Sequence, residues 1–511
     1  MHRNPVSGEF RWLFILAALW GAAIFWLAPH PPMIDLPQHA AQVALLRDLL
    51  QGTSPWTAFF RINWITPYLV GYGLALPLSL LMPVAAALKL LLSLAYLAFV
   101  FMCVRLRRYF GADARLDWPF LLSFFGFAYT WGFFTFLVAA PIGLWFLLLA
   151  DRYAHAQSLR RAAGLTMVGL VLLASHGLMF LFAVGISFLL VAAQARSWRT
   201  FLLALWPYVV FGLAAIIYYL ISREVSSGLA LQQSLPQTLL WGNGPRIPDT
   251  LIFPLCANVQ GLSMLMPLFT MLFMVATPWL LGLRIDWKQR SSWLPHAVVV
   301  VIMLAVPSYA FNTQFLYQRF ALFLLPTYAW IFTLQAAPVQ INGRRISRLV
   351  MPLLILLCFA MLSIHSVRAW RFGQESADFD HLMTLIEPGQ RALTLVFDNG
   401  SVADNNVKIY SHYPAWYQAE RQGLVDFNFA WFPPQIVRYR PDHLPEIRPG
   451  FEWHPEQFDW REHGGASYRY FFVRPATRSP QQLFADAPCP PRLLMALGSW
   501  AVYENRSCPT P

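Results

Sequence analysis

Residues 10–50 read "FRWLFILAALWGAAIFWLAPHPPMIDLPQHAAQVALLRDLL", and this stretch decides the fold. From Phe10 to Ala28 the only charge is Arg11, and about 20 such residues suffice to cross a bilayer. A cleavable leader ends in small residues. "FWLAPHPPM" (25–33) offers bulky side chains and prolines instead, so the first span reads as an uncleaved anchor. The chain then turns polar at once. A helix starting at Asp35 puts Asp35, Gln38, His39 and Gln42 at i, i+3, i+4 and i+7, one face of two turns. A helix lying on a membrane carries apolar residues at that spacing, so a polar stripe points to a hydrated cavity. A simpler reading makes Asp35 an N-cap, with Pro37 in the first turn and His39 on the surface. It accounts for the acid and leaves the other three residues unexplained.

Outward from this stretch, the composition divides the chain. Overall, 57% of the 511 residues are apolar and 12% charged, far from the soluble norm of about 45–50% and 25%. Residues 1–366 hold 23 Lys+Arg against 9 Asp+Glu, whereas residues 367–511 hold 14 against 16. The expectation is an α-helical polytopic membrane domain, 1–366, followed by a small α/β domain, 367–511, outside the cytoplasm. The net charge of +12 therefore reports topology and is no sign of nucleic-acid binding.

Apolar runs predict about eleven spans: 10–28, 84–104, 118–134, 137–150, 163–175, 178–194, 200–221, 261–283, 293–309, 319–336 and 347–366. The hairpins 118–150 and 163–194 are short for two crossings each, as broken or re-entrant helices are. With the N-terminus cytoplasmic, the inner loops hold 17 basic residues. The outer side holds 5: Arg47, Arg61, Arg223, Arg246 and Arg319. That asymmetry sets the orientation and puts the tail outside. It also makes "TPYLVGYGLALPLSLLMP" (66–83) an interfacial or partly inserted part of the first external loop, 29–83, because a full crossing would invert "RLRRYFG" (105–111).

In the tail, "RALTLVF" (391–397), "SYRYFFVR" (467–474) and "LLMALGSWAVYEN" (493–505) read as strands, alternating with helical signals. The aromatic run 412–440 suits a domain core packed on the membrane domain better than a sugar-binding surface. Cys489 and Cys508 lie in the exported part, where a disulfide is expected.

A carboxylate at the outer membrane face suits a general base that takes a proton from an acceptor hydroxyl. His39, one turn on, is placed to orient Asp35, to bind substrate, or to share a divalent cation with it. Such an ion is the one cofactor the sequence suggests, and two ligands leave the set incomplete. At this point the residues resemble a family. A first span ending in "IDLPQHAAQVALL" (34–46), a long first loop, some eleven spans and an external C-terminal domain look like the GT-C glycosyltransferases. These include lipid A aminoarabinose transferase and the protein O-mannosyltransferases, and they use polyprenyl-phosphate-linked sugars. The resemblance implies that Asp35 is catalytic. The family's commoner form has two adjacent acids, where this chain has Ile34 and Leu36 beside Asp35.

A lipid-phosphate donor needs fixed cations near the outer face. "FNTQFLYQRFALFLLPTYAWIF" (311–332) places Arg319 at a span mouth, and its Arg-aromatic-to-Leu-Pro pattern is similar to the stretch that contacts lipid phosphate in those enzymes. Lys89 falls in the outer half of its span, where snorkelling explains it equally well. His176 stands at a hairpin apex, and Arg246 and Asp249 in the loop "WGNGPRIPDT" (241–250) are weaker candidates. The expected activity is inverting transfer of a hexosyl or pentosyl group from a polyprenyl-phosphate donor to a lipid, glycan or protein acceptor outside a bacterial inner membrane. The competing readings are a polymerase or ligase acting on a lipid-linked glycan, and a transporter of lipid-linked sugars. The scarcity of mid-span charge and the lack of matched halves weigh against the transporter.

Overall fold

The computed structural model describes residues 11–506 apart from 227–238, 243, 245, 259, 311–312, 334–343, 405 and 475–478. Apolar runs become helices because only an internally bonded backbone is tolerated in lipid. In chain order the longer helices, with one short helix of the tail, are α1 (Arg11–Ile24), α2 (Leu36–Gln51), α3 (Leu69–Leu81), α4 (Val84–Tyr109), α5 (Phe134–His155), α6 (Leu159–Ser175), α7 (Gly177–Gln194), α8 (Trp206–Ser226), α9 (Leu265–Leu280), α10 (Arg290–Ala305), α11 (Arg344–Leu385) and α12 (Ala415–Arg421). Among the described residues five stretches are long and apolar enough to cross a bilayer: α4, α5, α7, 261–280 and 348–385. The helices α1, α3, α10 and residues 206–222 of α8 are apolar but shorter.

Several of the eleven expected runs are broken. Residues 118–134 form one-turn helices Phe120–Ser123 and Phe127–Thr130, and 319–336 begins as 3-10 helix Gln318–Phe323 followed by Leu324–Ala329. The first break has a steric cause at Gly126, where a Cβ would lie 2.2 Å from the carbonyl oxygen of Phe253. No other residue type fits that approach.

The chain divides into two compact units, Met1–Phe25 with Leu91–Ile221 and Ala230–Val367, and Trp26–Leu90 with Ser222–Leu229 and Arg368–Pro511. The first loop, 29–83, thus falls in one unit with the tail, a grouping that the linear division at 366 does not contain. In the first unit α5, α6 and α7 pack on one another, and His176 alone, extended (φ −168°), connects α6 to α7. Large apolar side chains such as Leu94, Phe101, Leu181, Leu213 and Ile216 lack protein cover, as lipid-facing surfaces do.

Among its described residues the second unit carries seven strands: β1 (Phe60–Ile62), β2 (Arg391–Val396), β3 (Leu424–Val425), β4 (Val437–Tyr439), β5 (Tyr470–Arg474), β6 (Arg492–Leu497) and β7 (Trp500–Glu504). Five of them form one sheet, in the order β6-β7-β5-β2-β3. The pairs β6–β7 and β7–β5 are antiparallel, whereas β2 lies parallel to both β5 and β3. Beneath it Asp426, fully buried, accepts two bonds from Arg391 at 2.7 and 2.8 Å and a third from the Tyr468 hydroxyl.

The remaining pair ties the loop to the tail. β1 runs antiparallel to β4, with Phe60 opposite Tyr439 and Ile62 opposite Val437. Helix α12 packs on α2. The aromatic run 412–440 is largely interior, with Trp416, Tyr417, Trp431 and Tyr439 buried. Helix α3, 13 residues or about 20 Å, is too short to cross the ~30 Å hydrocarbon core. It buries Gly71, Tyr72, Ala75 and Ser79 and exposes Leu74, Leu80 and Leu81. Cys489 is disulfide-bonded, and Cys508 lies outside the described residues.

Candidate active site

Prolines set the approach to Asp35. A turn closed by the Met33 amide on the Pro31 carbonyl (2.8 Å) delivers the chain to α2, and Pro37 sits at the helix start, where a missing N–H is harmless. Asp35 occupies the N-cap position, yet its side chain makes no capping hydrogen bond. Its Oδ1 instead accepts from Nδ1 of His412 at 2.9 Å, 377 residues away in sequence. The capping explanation of this acid therefore fails, and a partner in the tail replaces it.

The rest of the α2 stripe points at the same part of the tail. The Gln38 amide donates to the Phe427 carbonyl (3.3 Å), and its Oε1 accepts from the Phe429 amide (3.0 Å). Gln42 Oε1 accepts from the Val437 amide at 2.9 Å. His39 Nδ1 lies 2.7 Å from the Tyr72 hydroxyl, which donates onward to Gln435 Oε1 at 2.6 Å. The face expected to line a hydrated cavity is thus buried, because residues 427–437 arrive as irregular chain whose amides need partners. Asp35 and His39 are engaged with different neighbours. Among the described residues no group of three or more His, Cys, Asp or Glu could hold a metal ion.

His412 is the site residue that sequence reading missed. Its ring lies between Phe427, Phe429 and Trp453, with centroids 5.5, 6.0 and 6.0 Å away. The Lys408 ammonium stands 4.5 Å over the Trp453 ring. Burial raises the Glu452 carboxyl above its ordinary range. His412 opposes that shift and the Asp35 charge adds to it, so both lie within electrostatic reach of Glu452. No local periodicity marks these residues.

A second titratable cluster was also invisible. His30 is clasped by Asp380 (Nδ1 to Oδ1, 3.0 Å) and Glu420 (Nε2 to Oε1, 2.9 Å) and stacks on Trp416 at 4.0 Å. Burial alone would depress the imidazole. The two carboxylates outweigh it and hold its pKa at about 9. Lys89 donates to the carbonyls of Ala28 (3.2 Å) and Pro29 (3.0 Å) and lies 5.2 Å over Trp26, so it satisfies backbone acceptors at the end of the first apolar run.

In the first unit Arg319 lies 3.8 Å over Phe133 and donates to the carbonyls of Phe315 (3.2 Å) and Gln314 (3.0 Å). Beside it in the chain, Tyr317 donates to Asp249, and Arg246 stacks on Tyr317 at 3.8 Å, so the loop candidates Arg246 and Asp249 assemble with the 313–319 segment. Phe315 itself adopts a left-handed backbone (φ 57°), uncommon for a non-glycine residue, and packs on Trp131 at 4.2 Å. His176 is buried with its ring edge-on to Phe136 at 5.2 Å.

No protein-family profile matches the chain, and no curated protein matches it. Among solved structures, the cryo-EM structure of the arabinofuranosyltransferase AftD from Mycobacteria matches at 14% identity with a TM-score of 0.50. The match covers 97% of this chain and 40% of that one, so the chain spans about two fifths of the length of the enzyme it matches. A mutant form of the same enzyme matches at 13% identity over 97% of this chain and 41% of its own, with a TM-score of 0.49. At such identity a likeness shows architecture alone, and in architecture the chain is similar to a mycobacterial arabinofuranosyltransferase.

Proposed function

We propose that the protein is an inverting glycosyltransferase that moves a sugar from a polyprenyl-phosphate donor to an acceptor on the outer face of a bacterial cytoplasmic membrane. The observation that carries this reading is the Asp35 carboxylate, which caps nothing and is instead held by His412. In the reaction the acceptor O–H breaks, its proton passes to Asp35 Oδ2, and the oxygen attacks the anomeric carbon. The bond to the phosphate breaks as polyprenyl phosphate leaves with the electron pair. Arg319 is proposed to bind the donor phosphate, and the first loop with the tail is proposed to form the extracytoplasmic acceptor side. The likeness to an arabinofuranosyltransferase makes a pentofuranosyl donor the first to test.

The test is in vitro transfer by the purified protein with a panel of polyprenyl-phosphate sugars, arabinofuranose included. Asp35→Asn keeps the shape and still accepts from His412, but it lacks the base. Turnover should fall by about 10²–10⁴-fold with the protein still folded. Full activity in that variant would place the base elsewhere.

A further inference from the structure

We propose that His412 is a positioning residue for Asp35: it holds one carboxylate oxygen through Nδ1–H so that the other is aimed at the acceptor hydroxyl. The proposal rests on the transferase reading above and deepens it by making the tail part of the proton-accepting machinery.

Three observations carry it. The first is the 2.9 Å bond between His412 Nδ1 and Asp35 Oδ1. The second is relative exposure. The Asp35 side chain is 12% exposed and that of His412 only 5%, so of the pair the carboxylate keeps the larger open surface. The third is the far ring nitrogen. Among the described residues His412 Nε2 is buried with no hydrogen-bond partner. A proton there would be a donor shut away from any acceptor, which is costly, whereas a bare lone pair is cheap. The ring is therefore held as the tautomer with its proton on Nδ1, the one that donates to Asp35. The aromatic enclosure by Phe427, Phe429 and Trp453 fixes its plane.

Other groups facing the pair do not supply this contact. Tyr72 of α3 donates to Gln435, His39 bonds Tyr72, Glu452 accepts from the Gly450 amide at 2.7 Å, and Lys408 lies over Trp453. Residues 408–412 and 450–453 both belong to the tail, so the tail orients the acid that the first loop contributes.

Two variants separate positioning from packing. His412→Phe keeps a planar ring and cannot donate, whereas His412→Asn places an amide N–H near the position of Nδ1. Full-length protein in nanodiscs is modified with a carbodiimide and glycine ethyl ester across pH, and Asp35 labelling is read by peptide mass spectrometry. In His412→Phe the midpoint for Asp35 should rise by about one pH unit, because the ionised form loses a hydrogen bond, and His412→Asn should restore most of it. With a polyprenyl-phosphate arabinofuranose donor, or whichever panel member is active, His412→Phe should lower kcat by about 10-fold and shift the acid limb of the pH profile up. KM should stay within about 3-fold. An unchanged midpoint in His412→Phe overturns the proposal, as does an Asn variant no better than Phe. A wild-type protein that transfers from no donor overturns the transferase reading instead, while the labelling midpoint still decides whether His412 tunes Asp35.

Discussion

His30 shows how far a single residue departs from what its neighbours in sequence suggest. It stands between two prolines at the end of an apolar run, where nothing local marks it, yet it is enclosed by Asp380, Glu420, Tyr413 and Trp416. Its pKa stands at about 9, above the ordinary 6.5, so the folded state keeps a proton that the unfolded chain releases. The stabilisation is complete below pH ~6.5 and is lost as pH rises through about 9. Thermal unfolding of the purified protein between pH 6.5 and 9.5 should show Tm falling with pH, and His30→Gln should flatten that slope. Equal slopes in the two proteins would remove the ion cluster as a stabilising feature. At the same scale, Arg319→Ala should weaken donor binding and turnover together, in contrast to the turnover loss expected of Asp35→Asn; donor titration of initial rates separates the two.

Among elements, the tail sheet is the part whose energetics are most concentrated. Asp426 meets Arg391 and Tyr468 beneath β2, and Asp426→Ala would leave the guanidinium with Glu446 (3.1 Å) and the Tyr468 hydroxyl without its acceptor. Leaving a buried donor without its acceptor costs about 1–3 kcal/mol, so the variant should unfold at lower denaturant concentration, read by tryptophan fluorescence. The β6–β7 hairpin turns at Gly498, whose φ is +55°, and a Cβ there would meet Asp378 Oδ2 at 1.8 Å. Gly498→Ala should cost about 1–2 kcal/mol from the left-handed backbone alone, with additional loss from the displaced Asp378. Helix α3 makes the opposite case, since its sequence is apolar enough for a span while its length of 13 residues is not. Its exposed Leu74, Leu80 and Leu81 suit an interfacial position.

On the scale of the whole molecule, the positive-inside count predicts orientation, and reporter fusions test it. Fusions after residue 110 should report cytoplasm and fusions within 440–450 the outside. A tail reported inside would invert every site built on the first loop. The sequence by itself determined that the chain is a helical membrane protein, where most of its helices run, and that Asp35 is an acid out of place. Hydropathy, charge asymmetry and helical spacing are local signals, summed over neighbouring residues, and they survive without knowledge of any distant partner. The short 118–150 hairpin announced a broken helix by its length, whereas the break at 319–336 left no signal, because a run stays apolar whether its backbone is one helix or two short ones. Only the tertiary structure decided what Asp35, Gln38 and Gln42 touch, that the first loop pairs strand and helix with a segment some 375 residues later, and that His30 and His412 matter at all. A hydrogen bond spanning 377 residues leaves no periodic trace in either segment, since each group needs only one partner at one distance and the chain between them supplies it.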